Sequence, residues 1–405
     1  MNCMGLALNA SEVHKLKDYY VQILAPFTDV FSEIHAYLYV FLCVVGVFAN
    51  IAIVVVLLRP AMRRSPFNLF LICIAICDAT LMATYLLYKH VDLCHPWFFS
   101  YPWMIYTKFY AMFSVFVHSA SLWFTVNMAV MRYLVLYRGS RSHTRLPQCN
   151  TYAAAFIAIV IGAIIALIGS LPNMLRYNVV FRSQMHVPKY CLATKYRASW
   201  NEDSVIEVYD LKQPSWYNCA WERVNFWMAA CVLKLIPCVL LTVFMTLLVL
   251  MLIEARERRS RLCGGLATGN SQAERTTAML TGIVAVFLIT ELPQGILGLA
   301  VGVNPRLVYI TTPLGNFFDL LSLINSAVNF VLCALMSHVF RREFLHTFSM
   351  CCPQSSENHS GAPITKTTKI SLFTTLSSPF RKVKGFLPVP TSDRDAQNNR
   401  VTSSN

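Results

Sequence analysis

Long apolar stretches alternate with short polar ones along the chain. Seven stretches are apolar over the roughly 20 residues that a helix needs to cross a hydrocarbon core. They cover 37–58, 67–88, part of 103–137, 152–171, 225–253, 276–301 and 308–337. The seventh runs into a basic, amphipathic segment, 337–348, with the pattern of a short helix lying on a membrane surface. The connection between spans four and five is the longest. It holds most of the acid outside the spans: Glu202, Asp203, Glu207, Asp210 and Glu222.

Composition agrees with this pattern. The chain is 56% hydrophobic and 13% charged, with mean hydropathy +0.50, whereas a soluble domain carries about 25% charged residues. The expected fold is an all-α membrane protein, a seven-transmembrane helix bundle followed by a short amphipathic cytoplasmic helix. Residues 1–35 are expected to form an extracellular N-terminus, 36–348 the bundle with its amphipathic helix and 349–405 a polar, disordered cytoplasmic tail. The first 30 residues include Glu12, Lys15, Lys17 and Asp18, so the first span, not a cleavable leader, is expected to direct insertion.

Charge sets the expected orientation. Arg59, Arg63 and Arg64 follow span one, and Arg132, Arg138, Arg141 and Arg145 lie at and after the end of span three. Arg256, Arg258, Arg259 and Arg261 follow span five, and Arg341 and Arg342 follow span seven. The positive-inside rule puts these segments in the cytoplasm and the N-terminus outside. The net charge of +14 is therefore a signal of topology and lipid headgroups, and nucleic-acid binding is excluded on a chain this apolar. Of the cysteines in outside loops, Cys94 lies before span three and can bridge to Cys191 or to Cys219. Asn9 opens a glycosylation sequon in an outside segment, and Cys351 and Cys352 are candidates for palmitate.

Few polar groups interrupt the spans. Three are acids: Asp78, Glu291 and Asp319. A carboxylate at the centre of a span costs about 2.5–3.5 kcal/mol on insertion scales, which makes each a functional candidate. Asn50, Ser121, Asn127, Asn325 and Asn329 are neutral, and for Asn50 and Asn127 simple interhelical hydrogen bonds suffice.

Motifs in six spans resemble the rhodopsin-like family of G-protein-coupled receptors over about residues 35–348. Gly46 to Asn50 resembles its GxxxN in span one, and Asn68, Leu71, Ala75 and Asp78 resemble its span-two motif. Met131-Arg132-Tyr133 resembles D-R-Y, Pro237 the span-five proline, and Phe287 with Pro293 the F-x-x-C-W-x-P of span six, Glu291 replacing tryptophan. Asn325-Ser326 and Asn329 to Cys333 resemble N-S-x-x-N-P-x-x-Y. Leu288 to Gly295, Leu323 to Phe330 and Ala129 to Tyr133 resemble, more narrowly, invertebrate FMRFamide-like and myosuppressin-type peptide receptors.

That resemblance implies a plasma-membrane receptor that takes an amidated neuropeptide and activates a heterotrimeric G protein, with arrestin recruited by a phosphorylated tail. It assigns Asp78, Ser121, Asn325 and Asn329 to a sodium and water pocket, and Arg132, Tyr133, Phe287 and Pro293 to the coupling switch. Glu291 and Asp319 then face a ligand guanidinium, with Gln294, Tyr85, Tyr88 and His118 nearby. Met245 and Cys333 replace two switch tyrosines of the family, Met131 leaves Arg132 without its usual acid, and Glu274 is the expected substitute partner. Ser114 and Leu323 occupy the positions at which amine receptors carry an acid and opsins a lysine, so monoamines and retinal are not expected. No phosphate loop, metal spacing or nucleophile elbow is present in the sequence, and an enzyme is not expected. A chemosensory receptor for small molecules is the main alternative. A transporter, which would show internal repeats, is the lesser one.

Overall fold

A computed structural model describes residues 10–141, 152–200, 203, 205–262, 270–336 and 338–349. Eight helices carry the architecture. They are α1 (Ala10–Leu57), α2 (Pro66–His90), α3 (Tyr101–Arg141), α4 (Tyr152–Met174), α5, α6 (Asn270–Val303), α7 (Gly315–Met336) and α8 (His338–Ser349). α5 consists of three consecutive stretches: Cys219–Trp227, a π-helical Met228–Leu235 and Ile236–Leu262. Six of the long helices are long and apolar enough to cross a membrane. The seventh, α7, packs against α1, α2 and α6, and α8 turns off its end against α1 and Phe330.

Two features differ from the sequence expectation. The first helix begins at Ala10, well before 37, because polar residues on one face do not interrupt helical hydrogen bonding. The connection between α4 and α5 forms an antiparallel hairpin, β1 (Asn178–His186) with β2 (Val205–Lys212), with a bulge between Phe181 and Ser183. Tyr209 rests on Tyr101 and Phe181, and its amide donates to Phe99 O, so the hairpin is seated at the start of α3. Cys94 is joined to Cys191, not to Cys219, whose thiol is free. Trp200 Nε1 also donates to Cys94 O at 2.9 Å.

The core lies between α3, α4, α5 and α6, around Trp123, Phe124, Met128, Leu241, Met245 and Phe287. Close approach is set by glycine at two places. A Cβ on Gly46 of α1 would overlap Met82 of α2, and one on Gly169 of α4 would overlap Leu233 in the π-helical stretch. A π turn is wider than an α turn, and here it is received by small residues. Gly295 of α6 lies against Leu235 and the Cβ of Lys234, and Gly298 against Ala230.

Candidate functional site

A cavity of about 330 Å³ opens between α2, α3, α5, α6 and α7. Its wall includes Tyr85, Tyr110, His118, Lys234, Gln294 and Asp319. Among the described residues, Asp319 is the only carboxylate on that wall. Tyr85 lies beside Asp319, close enough for its hydroxyl to interact with the carboxylate. On its other side that hydroxyl meets His35 Nε2 of α1 at 3.2 Å. Lys89 donates to Asn316 Oδ1 at 2.8 Å, and its ammonium lies 5.6 Å from the Tyr85 ring centre. Tyr88 is not on the cavity wall. It stacks on Tyr110 with centroids 4.4 Å apart and so backs the wall.

Glu291 sits elsewhere than expected. It is 0% exposed and does not line the cavity. Lys234 bonds to one of its oxygens, and His118 Nε2 lies 3.1 Å from the same oxygen. Lys234 and His118 both line the cavity, so they intervene between Glu291 and any bound molecule. Glu291 thus takes part in an internal ion pair behind the cavity wall. Lys234 was not singled out in the sequence, although a lone lysine in the apolar run Cys231 to Pro237 is the signal that finds it.

Deeper in the bundle, Asp78 is 1% exposed and takes three hydrogen bonds. Ser121 Oγ and Ser326 Oγ donate to Oδ1, each at 3.0 Å, and Asn329 Nδ2 donates to Oδ2 at 2.6 Å. Ser326 takes the place expected for Asn325, because Ser326 is the residue on the buried face of α7 and Asn325 lies one position round the helix. Asn50 Nδ2 donates to Gly46 O and to Ser326 O, which ties α1 to the same cluster. Asn127 donates to Ala158 O of α4.

At the end opposite the hairpin, the Arg132 guanidinium lies 5.6 Å from the centre of the Phe67 ring. Tyr133 contacts Tyr137 and Phe244. Phe287 is buried in the core, and Pro293 lies inside α6. Met245, where the family has tyrosine, is 1% exposed among core residues. The side chains of Glu274 and Cys333, and residues Asn9, Cys351 and Cys352, lie outside the described residues.

On the hairpin side, Lys195 Nζ lies 3.1 Å from Asp92. Burial pushes the Asp92 carboxyl up, but hydrogen bonds from Tyr196 and Lys195 outweigh it and hold the group below its ordinary range.

The family model described as "Serpentine type 7TM GPCR chemoreceptor Srw" matches residues 37–351. The chain belongs to this family of seven-transmembrane G-protein-coupled receptors. The receptor is similar to the G-protein coupled receptor dmsr-1 of Caenorhabditis elegans, 30% identical over 82% of this chain and 71% of the relative. It is also similar to the Sex peptide receptor of Drosophila melanogaster, 25% identical over 78% of this chain and 72% of the relative. The FMRFamide receptor of Drosophila melanogaster is 23% identical over 75% of this chain and 52% of the relative. It is a multi-pass membrane receptor of the rhodopsin-like type.

Proposed function

We propose that this receptor is activated by a neuropeptide ending in Arg-Phe-amide and signals through a heterotrimeric G protein. The observation that carries the reading is Asp319, among the described residues the one carboxylate on the wall of an otherwise mostly apolar and aromatic cavity. A guanidinium matches a carboxylate in such a site through paired, charge-assisted hydrogen bonds. Tyr85 and Tyr110 supply aromatic surface for the peptide's phenylalanine. Lys234 and Gln294 supply donors for carbonyl oxygens. The names of the peptide-receptor relatives support the ligand class. In this reading the hairpin end faces outside and the α8 end faces the cytoplasm. Arrestin and membrane lipids meet the receptor there, through the phosphorylated tail, α8 and acylated Cys351 and Cys352. Asn9 is glycosylated outside.

Asp78 with Ser121, Ser326 and Asn329 forms a compact oxygen-rich cluster. Carboxylate and hydroxyl oxygens suit a hard monovalent cation, and these residues fit sodium. Bound there, sodium favours whichever receptor state holds the cluster closed.

The test is G-protein activation in cells expressing the receptor, using amidated Arg-Phe peptides, their free acids and peptides with citrulline for arginine. A response to the amides, lost for citrulline and in Asp319→Asn at equal surface expression, is the expected result. The second reading is a small-molecule chemosensory ligand. It is favoured by the family description and by a cavity at the small end of the usual range of about 300–1,000 Å³. Silence to every peptide, with responses to small cations, would replace the first reading with the second.

A further inference from the structure

α1 carries an apolar seam with a strict seven-residue repeat, along which Phe27 packs edge-on against Phe317 and most other positions face outward. Ile23, Phe27, Val30, Ile34, Tyr37 and Phe41 follow one another at alternating steps of four and three, and all are exposed. Val30 is 62% and Tyr37 81% exposed. The same phase runs back through Tyr20, Leu16 and Val13 and on to Phe48. These are the a and d positions of a heptad, the pattern by which two helices supercoil.

The other faces have different tasks. His35, Cys43 and Asn50 turn into the bundle. Lys15, Asp18, Gln22, Asp29 and Ser32 fall off the seam, and His14 pairs with Asp18 at 2.6 Å on that polar side. Pro26 falls on a flank of the seam, not within it.

Lipid explains only part of this face. The 48 residues of α1 extend about 72 Å at 1.5 Å per residue, against about 30 Å of hydrocarbon. Phe27 and Phe31 both meet Phe317 at the start of α7, so only the turns before Phe27 rise past that end of the bundle. An apolar stripe there would stand in water.

We propose that the seam is covered by α1 of a second copy of this receptor, in a parallel, in-register, two-stranded coiled coil. Three points select a second copy over other occupants. A heptad seam is complementary to itself. Insertion gives every copy the same orientation, which makes the pair parallel. Glu12 and Lys17 occupy the g and following e positions, where a parallel pair brings them together across the interface with opposite charge. The partner is thus fixed by chemistry: the same helix, with each a or d residue facing its own equivalent.

Single cysteines in the full-length receptor, in cell membranes under mild oxidation, test this. Val30→Cys and Ile34→Cys bring equivalent residues within disulfide reach across the dyad, whereas Ser32→Cys and Asp29→Cys point away. The expected result is a band of twice the monomer mass for the seam positions and only the wild-type background for the others. Val30→Glu with Ile34→Glu should abolish energy transfer between labelled copies while leaving surface expression intact. Equal cross-linking on and off the seam, or monomer at every position, overturns the proposal. If the receptor stays monomeric and spin-labelled lipid quenches a probe at Val30, the face belongs to the membrane instead.

Discussion

Lys234 is bonded to Glu291 inside the bundle, with Glu291 fully buried behind the cavity wall on which Lys234 lies. The pair joins the π-helical stretch of α5 to α6, with His118 of α3 as a third member. Two opposite charges in a medium this dry are stable only together.

Removing one member should therefore be worse than removing both. Glu291→Gln or Lys234→Met alone should cost about 3–5 kcal/mol of stability, as breaking a buried pair does. The double variant should recover most of it. Thermal unfolding in detergent reads the three receptors side by side, and additive losses would show that the two groups do not act on each other.

Tyr85 lies beside Asp319 on the cavity wall, and its hydroxyl meets His35 Nε2. Tyr85→Phe removes the hydroxyl that bonds His35 and lies beside Asp319, and should weaken the cationic peptide by about 0.5–1.5 kcal/mol. His35→Phe should cost less, and nothing further once Tyr85→Phe is present, because it acts through that hydroxyl. Dose–response curves for the arginine and citrulline peptides decide. Equal weakening of both peptides would mean that this hydroxyl does not act on the ligand's charge.

Asp78→Asn removes the anion at the centre of the Ser121, Ser326 and Asn329 cluster. Agonist binding to wild-type membranes should weaken when choline is replaced by sodium, and in the variant it should not respond. A sodium effect that persists in Asp78→Asn would place the ion elsewhere.

Gly169→Ala puts a methyl group onto Leu233, whereas Gly282 has open space around it. Overpacking of this kind costs about 1–3 kcal/mol, so Gly169→Ala should lower thermal stability and Gly282→Ala should leave it nearly unchanged. Leu233→Ala in the Gly169→Ala background should restore part of the loss.

Cys94 and Cys191 are 97 residues apart in sequence. Closing a loop of about that length contributes about 4–5 kcal/mol on a chain-entropy account. Cys94→Ser and Cys191→Ser should each cut surface expression strongly, and Cys219→Ser should not. Quantitative surface labelling of the three variants provides the comparison.

The spans were legible because each is an apolar run of membrane length, and Asp78 because a carboxylate there stands out against its neighbours. What escaped had weaker signals. Lys234 lies in a run that reads as ordinary α-helix, and a π turn has no periodicity of its own over so few residues. Its direction depends on Gly169, Gly295 and Gly298, which come from two other helices. The exchange of Ser326 for Asn325 is a rotation of one position, set by which face of α7 meets Asp78. The hairpin was hidden because its strands are mostly exposed and mix charged with apolar residues. The Cys94 partner depended on where that hairpin folds back. The outer turns of α1 read as part of a polar extracellular N-terminus because charge on one face masks a heptad on the other.

The wide turn at Met228–Leu235 also changes how position along the fifth helix translates into direction. One residue is about 100° around an α-helix. Counting outward from Pro237, a receptor with a regular fifth helix would aim a different side chain at the cavity than Lys234 is aimed here. Everything beyond the turn, including Glu222 with its bond to Arg176, is rotated with it. Residues at the same count in two such receptors are then not equivalent in space. A single deletion within this stretch would re-aim the whole outer segment of the helix, and with it the chemistry offered to a ligand, without altering any side chain that remains.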